Sequence, residues 1–159
     1  YCHARSLDSG YHPSRTRVQA LASVLGTQLP ENMRLCGENM TAKHSIFYDS
    51  LPGPFLLFSV WQEDICLSWA DTAEWAELLG IPTVPVLYEG IFDERKLPII
   101  FTGKSACGGG EAEGYVVRNT ASFEYKYFAD NVAKFVRKNH VQTNRHWSDT
   151  PVIPNLLRR

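Results

Sequence analysis

The sequence lacks any apolar run approaching the roughly 20 residues a membrane-spanning helix needs. It also lacks a C-x-x-C pair. Cys2, Cys36, Cys66 and Cys107 are scattered, so neither a zinc knuckle nor a disulfide framework is signalled. Reduced thiols in an intracellular, cytoplasmic protein are the expectation. Tyr1-Cys2-His3-Ala4-Arg5 has no apolar h-region of a signal peptide. There is no internal repeat and no low-complexity segment. Gly103-Lys104-Ser105 fails as a P-loop, because the motif needs glycine where Pro98 stands and a helix where glycines follow. His140 and His146 come without a third ligand and make no metal site by themselves.

What remains is an ordinary globular composition. The chain has 159 residues, 44% hydrophobic and 21% charged, enough for one domain with a real core. A formal net charge of −1 hides an uneven distribution. Residues 60–95 hold eight acids against the single base Arg95, whereas residues 126–159 hold seven bases against Asp130 and Asp149. A basic C-terminal stretch suits a phosphate-rich partner, and equally a solvated surface.

Punctuation and periodicity outline the elements. Tyr1–Ser6 reads as a short strand before the turn Asp8-Ser9-Gly10. Pro13-Ser14-Arg15 starts a helix, with Ser14 suited to capping; Val18, Leu21, Ala22 and Leu25 keep helical spacing, and Gly26 stops it. Met33–Cys36 is a strand leading into Gly37-Glu38, and Phe55–Trp61 a strand buried on both faces. Asp71 and Glu74 open a helix bearing Trp75, Leu78 and Leu79, ended by Gly80 and Pro82. Val84–Leu87 reads as an edge strand because of Pro85. Residues 103–110 are a loop, and strands follow at Gly114–Asn119 and Ala133–Arg137. Strands outnumber helices in mixed order, so the fold class is α+β.

Several constellations carry chemistry. In Glu113-Gly114-Tyr115-Val116-Val117-Arg118 a carboxylate stands beside a glycine gap in a strand, where Mg²⁺ and phosphate oxygens could be held. Arg34-Leu35-Cys36-Gly37-Glu38-Asn39 offers a second Gly-Glu pair. Phe58 lies within the apolar strand, and an aromatic stacked on a base is worth about 1–3 kcal/mol. Lys134-Phe135-Val136-Arg137-Lys138 is a basic strand, and His3-Ala4-Arg5-Ser6 a further one.

Taken in chain order, from Arg5 through Glu38, Phe58 and Glu113 to Lys134, these segments resemble the signature motifs of covalent nucleotidyltransferases, and most closely those of the ATP-dependent RNA ligase family. The string from Leu35 to Ile46 is similar to a branch of RNA ligases rather than to DNA ligases. The resemblance implies an adenylyltransferase domain over residues 1–159, with antiparallel sheets flanked by helices and a nucleotide cleft between them. It implies that Arg5 contacts ribose or phosphate, Glu38 the ribose and Phe58 the purine. Glu113 would be the metal carboxylate, and Lys134 would grip the α-phosphate. The family's second phosphate lysine falls on Val136, so Arg137 or Lys138 takes its place. Strand alternation favours Lys138, which shares a face with Lys134.

The implied cofactors are ATP and Mg²⁺ or Mn²⁺, and the implied substrate is RNA with 5′-phosphate and 3′-OH ends, joined through lysine–AMP and RNA–adenylate intermediates. No membrane or protein partner is indicated. None of the six lysines (Lys43, Lys96, Lys104, Lys126, Lys134, Lys138) lies in the family's nucleophile motif Lys-x-Asp-Gly. With Tyr1 opening directly in a strand-like run, the expectation is an N-terminally incomplete domain that cannot adenylylate itself. The alternatives are a DNA ligase or capping-type nucleotidyltransferase, and a non-catalytic nucleotide- or RNA-binding module.

Overall fold

The structure is a computed structural model that describes residues 1–4, 12–138 and 151–158. Pro13–Arg15 form one 3-10 turn, continued by helix α1 over Thr16–Leu25. The cap is His12, whose Nδ1 accepts from the Ser14 backbone N–H at 3.3 Å; Ser14 is buried. Strand β1 (Met33–Asn39) and strand β2 (Phe55–Gln62) are antiparallel. Two short strands, β3 (Ile65–Cys66) and β5 (Phe123–Glu124), extend this sheet in the order β1-β2-β3-β5. Between them run helix α2 (Trp69–Leu78), the short helix α3 (Leu97–Ile100) and strand β4 (Gly114–Arg118). After β5, helix α4 (Phe128–Asn131) leads to strand β6 (Val132–Val136), which pairs antiparallel with β4 as a separate two-stranded sheet. Helices and purely antiparallel ladders make the fold α+β.

The run from Phe55 to Trp61 is buried on both faces because different partners cover each. Toward the helices, Leu57 and Val60 pack with Leu25, Ala76 and Ile81. On the other face, Leu56 joins Leu51 and Cys107, and Trp61 joins Cys66 and Phe123. Deleting a side chain such as Leu57 from such a core costs about 2–5 kcal/mol.

Four sequence expectations are corrected. Residues 1–4 are not in a strand, since no ladder partner meets them among the described residues; Arg5 and Ser6, like Asp8-Ser9-Gly10, lie outside the described residues. The first strand continues through Gly37 and Glu38 to Asn39 rather than ending at Cys36. Helix α2 starts earlier than Asp71: Ser68 is its cap, accepting the Asp71 N–H at 3.1 Å while its hydroxyl donates to Asp71 Oδ2 at 2.6 Å. Val84–Leu87 is not a strand. Among the described residues its backbone pairing is with Leu57 alone, whose N–H donates to Pro82 O and whose O accepts from Val84 N–H, both at 2.9 Å, and Pro82 and Pro85 have no N–H to extend the ladder. Among the described residues no helix is long and apolar enough to cross a membrane.

Candidate functional site

The site is built on the sheet face that the helices leave open. Met33 and Leu35 of β1 pack toward the helices, so alternation turns Arg34, Cys36 and Glu38 to the opposite face. There Cys36 packs against the Trp61 cluster, and the Arg34 guanidinium lies 5.2 Å over the Trp61 ring. Opposite Cys36 and Gly37 the ladder skips a residue: Cys36 pairs with Ser59 and Gly37 with Leu57. Phe58 is therefore the extra residue of a β-bulge. A bulge re-aims a side chain, and Phe58 is 40% exposed between buried neighbours, with no ring partner among the described residues.

Arg118 and Val132 fasten the two-stranded sheet to this face. Arg118, at the end of β4, donates from Nη1 to Phe58 O and from Nη2 to Leu67 O, both at 3.1 Å. Its guanidinium lies 5.8 Å from the Trp69 ring and 5.9 Å from that of Phe123. Arg118 shares its face of β4–β6 with Val116, Val132 and Lys134, and Val132 packs on the Trp61 cluster. Lys134 consequently looks toward the open face that bears Phe58 and Glu38.

Glu113 immediately precedes β4, its carbonyl accepting the Arg137 N–H at 2.8 Å. A tight turn delivers it. Gly108, Gly109 and Gly110 all have positive φ (73°, 78° and 95°), a path open to few side chains. Gly114 has a different reason from the one its sequence suggests. A Cβ there would strike the backbone of Phe135 on β6, so the close approach is by the neighbouring strand and not by a ligand.

Electrostatics joins these groups. Burial pushes the Glu38 carboxyl up, the Glu113 charge pushes it further, and Lys134 opposes both. Glu38 remains accessible to solvent. Tyr48, which the sequence reading missed, is pushed up to about 12, first by burial and then by the charges of Glu113, Cys107 and Glu38. Among the described residues, the Glu38 and Glu113 carboxylates and the Lys134 ammonium take part in no hydrogen bond or ion pair. No group of three or more metal-binding side chains gathers among the described residues. Two uncompensated carboxylates still fit a hard divalent cation that takes its remaining oxygens from phosphate and water, as Mg²⁺ does.

The sequence matches the family model described as RNA ligase over residues 1–136. The chain belongs to the RNA ligase family. No curated protein and no solved structure matches it.

Other expected groups of this family member fall differently. Arg137 forms an ion pair with Glu111, with its Nη1 donating to Glu111 Oε2. It lies on the face of β6 opposite Lys134, beside Phe135, which stacks on Tyr115 at 5.0 Å. Lys138 is exposed, two residues past the end of β6. Arg5, His140 and His146 lie outside the described residues. Two concavities occur elsewhere. One, of about 300 Å³, is lined by Asp71, Glu74 and Trp75 and holds no cation. The other, of about 450 Å³, lies behind β4–β6, where Arg118 is already committed to carbonyls. Neither contains the Glu38–Glu113–Lys134 group.

Proposed function

We propose that the chain is adenylyltransferase machinery of an ATP-dependent RNA ligase, with the nucleotide held in a cleft between the open face of the first sheet and β4–β6. What supports this reading is membership of the RNA ligase family, with Glu38 on the open face of β1, Lys134 on the face of β6 that turns toward it, and the Glu113 charge acting on Glu38. Phe58 supplies a free aromatic face for the purine, and Glu38 accepts from the ribose. Lys134, with Lys138 nearby in the chain, meets the α-phosphate charge that grows as pyrophosphate leaves. Arg5 adds a ribose or phosphate contact by resemblance. Mg²⁺ or Mn²⁺, bound through Glu113, would neutralise the phosphates. The RNA joined would carry 5′-phosphate and 3′-OH ends. A DNA ligase or capping role is disfavoured by the family match.

The nucleophile is assigned to no lysine of this chain, because none stands in Lys-x-Asp-Gly. Two measurements test the reading. Incubated with radiolabelled ATP and Mg²⁺, the chain is expected to give no labelled band on a denaturing gel; a stable band overturns that assignment. In equilibrium binding, ATP is expected to bind the folded chain, and Glu38→Ala and Lys134→Ala are each expected to weaken it about tenfold or more. Unchanged affinity in both variants overturns the site.

A further inference from the structure

Residues 151–158 lie beyond the family match, yet they grip the loop that follows β1. Asn155 is 8% exposed and spends its whole polar side chain there. Its Nδ2 donates to Met40 O at 2.9 Å and its Oδ1 accepts the Tyr48 N–H at 2.9 Å. Its own N–H donates to Thr41 O at 3.1 Å, and the next N–H, of Leu156, donates to Tyr48 O at 2.9 Å. Tyr48 is thus pinned on both sides of its main chain. On its other flank, Ser50 N–H donates to Cys107 O at 3.0 Å and Gly109 N–H to Asp49 Oδ1 at 3.1 Å, which ties the same loop to the glycine turn preceding Glu113.

The Tyr48 ring is packed on Leu51, Leu56 and Cys107. Its hydroxyl makes no hydrogen bond among the described residues, and Leu56, in the cluster it packs on, is paired with Glu38 across β1 and β2. The hydroxyl reaches solvent, so its donor is open to a ligand. A neutral phenol O–H suits a neutral sugar oxygen.

We propose that Tyr48 is a further contact residue of the nucleotide cleft, donating its hydroxyl to a ribose hydroxyl oxygen, and that Asn155 is the positioning residue holding it there. The inference rests on the reading of the cleft given above. Because the phenol stays protonated up to about pH 12, it donates throughout the working range. Glu38 would accept from the same sugar that Tyr48 donates to.

The test is equilibrium binding of ATP, 2′-deoxy-ATP and 3′-deoxy-ATP to the whole chain. Tyr48→Phe keeps the ring and removes only the donor. It is expected to weaken ATP about threefold to tenfold, with unfolding temperature unchanged, and to have no effect on one of the two deoxynucleotides. Asn155→Ala is expected to weaken ATP in the parent chain but not in the Tyr48→Phe background. If Asn155→Ala does not fold, Asn155→Asp, which keeps the acceptor for the Tyr48 N–H, is expected to bind ATP more tightly than a second loop variant, Gly109→Ala. If Tyr48→Phe binds ATP like the parent while Glu38→Ala binds weakly, the Tyr48 inference falls and the cleft stands. If the parent binds no ATP, or Glu38→Ala binds it normally, both fall. Equal losses for Asn155→Ala in the two backgrounds overturn the positioning role.

Discussion

At the scale of the residue, Glu38 sits where ionisation opposes folding. Its folded carboxyl titrates above the ordinary 4.5, because burial and the Glu113 charge both disfavour the anion. Between those two values the folded chain binds more protons than the unfolded one, so stability falls as pH rises through the window. The contribution is most favourable below 4.5 and is lost above the folded value. Glu38→Gln is therefore expected to raise the unfolding temperature at pH 7, with the gain shrinking toward zero near pH 4, while ATP binding weakens. Thermal melts of both proteins across pH 4–8 check this. A gain that persists undiminished at pH 4 would mean that ionisation is not the cause. Glu38, Phe58, Glu113 and Lys134 can be proposed from the sequence because each stands in a local string. Tyr48, Asn155 and Arg118 cannot, since their roles come from partners distant in the chain: Asn155 from Tyr48, and Arg118 from Phe58 and Leu67.

At the scale of the element, local spacing located strands and helices better than it located their ends. The capping pattern at Asp71 and Glu74 was real chemistry displaced by three residues, because Ser68 offers a hydroxyl that both accepts and donates. Ser68→Ala is expected to cost about 1 kcal/mol of stability, and Glu74→Ala, on the exposed helix surface, almost none; denaturant melts compare the two. The bulge at Phe58 could not be read from an unbroken apolar run, since it exists only in register with β1. Nor did composition reveal that Arg118 is a fastener between sheets. Arg118→Ala leaves the carbonyls of Phe58 and Leu67 without that donor, and hydrogen bonds to a charged group are worth about 1.5–3 kcal/mol each. A fall in stability of about 2 kcal/mol or more is expected, with Arg118→Lys recovering only part because it lacks the fork. Full recovery by lysine would show that charge alone holds the sheets.

At the scale of the whole molecule, the basic C-terminal stretch is weaker in space than in sequence. Lys126 is paired with Glu124 at 2.9 Å and Arg137 with Glu111, acids that lie outside the stretch. Exposed Lys138 forms no ion pair among the described residues. Binding of single-stranded RNA should then depend on salt through fewer cations than the seven counted. Lys138→Ala is expected to reduce the slope of log affinity against log salt by about 0.7, and Lys126→Ala to change it far less. Fluorescence anisotropy titrations from low to moderate salt measure both, and equal changes would show that the Glu124 pairing does not shield Lys126.

The clasp of residues 151–158 on the loop after β1 also sets an order in time. Both sheets and their helices are encoded before residue 137, so they can assemble while the chain is still being synthesised. The loop bearing Tyr48 has to wait for Asn155, 107 positions later, to clear the ribosome. A nascent chain would thus assemble both sheets while its proposed sugar contact is still unfastened, and that contact would be held only once residues 151–158 have emerged.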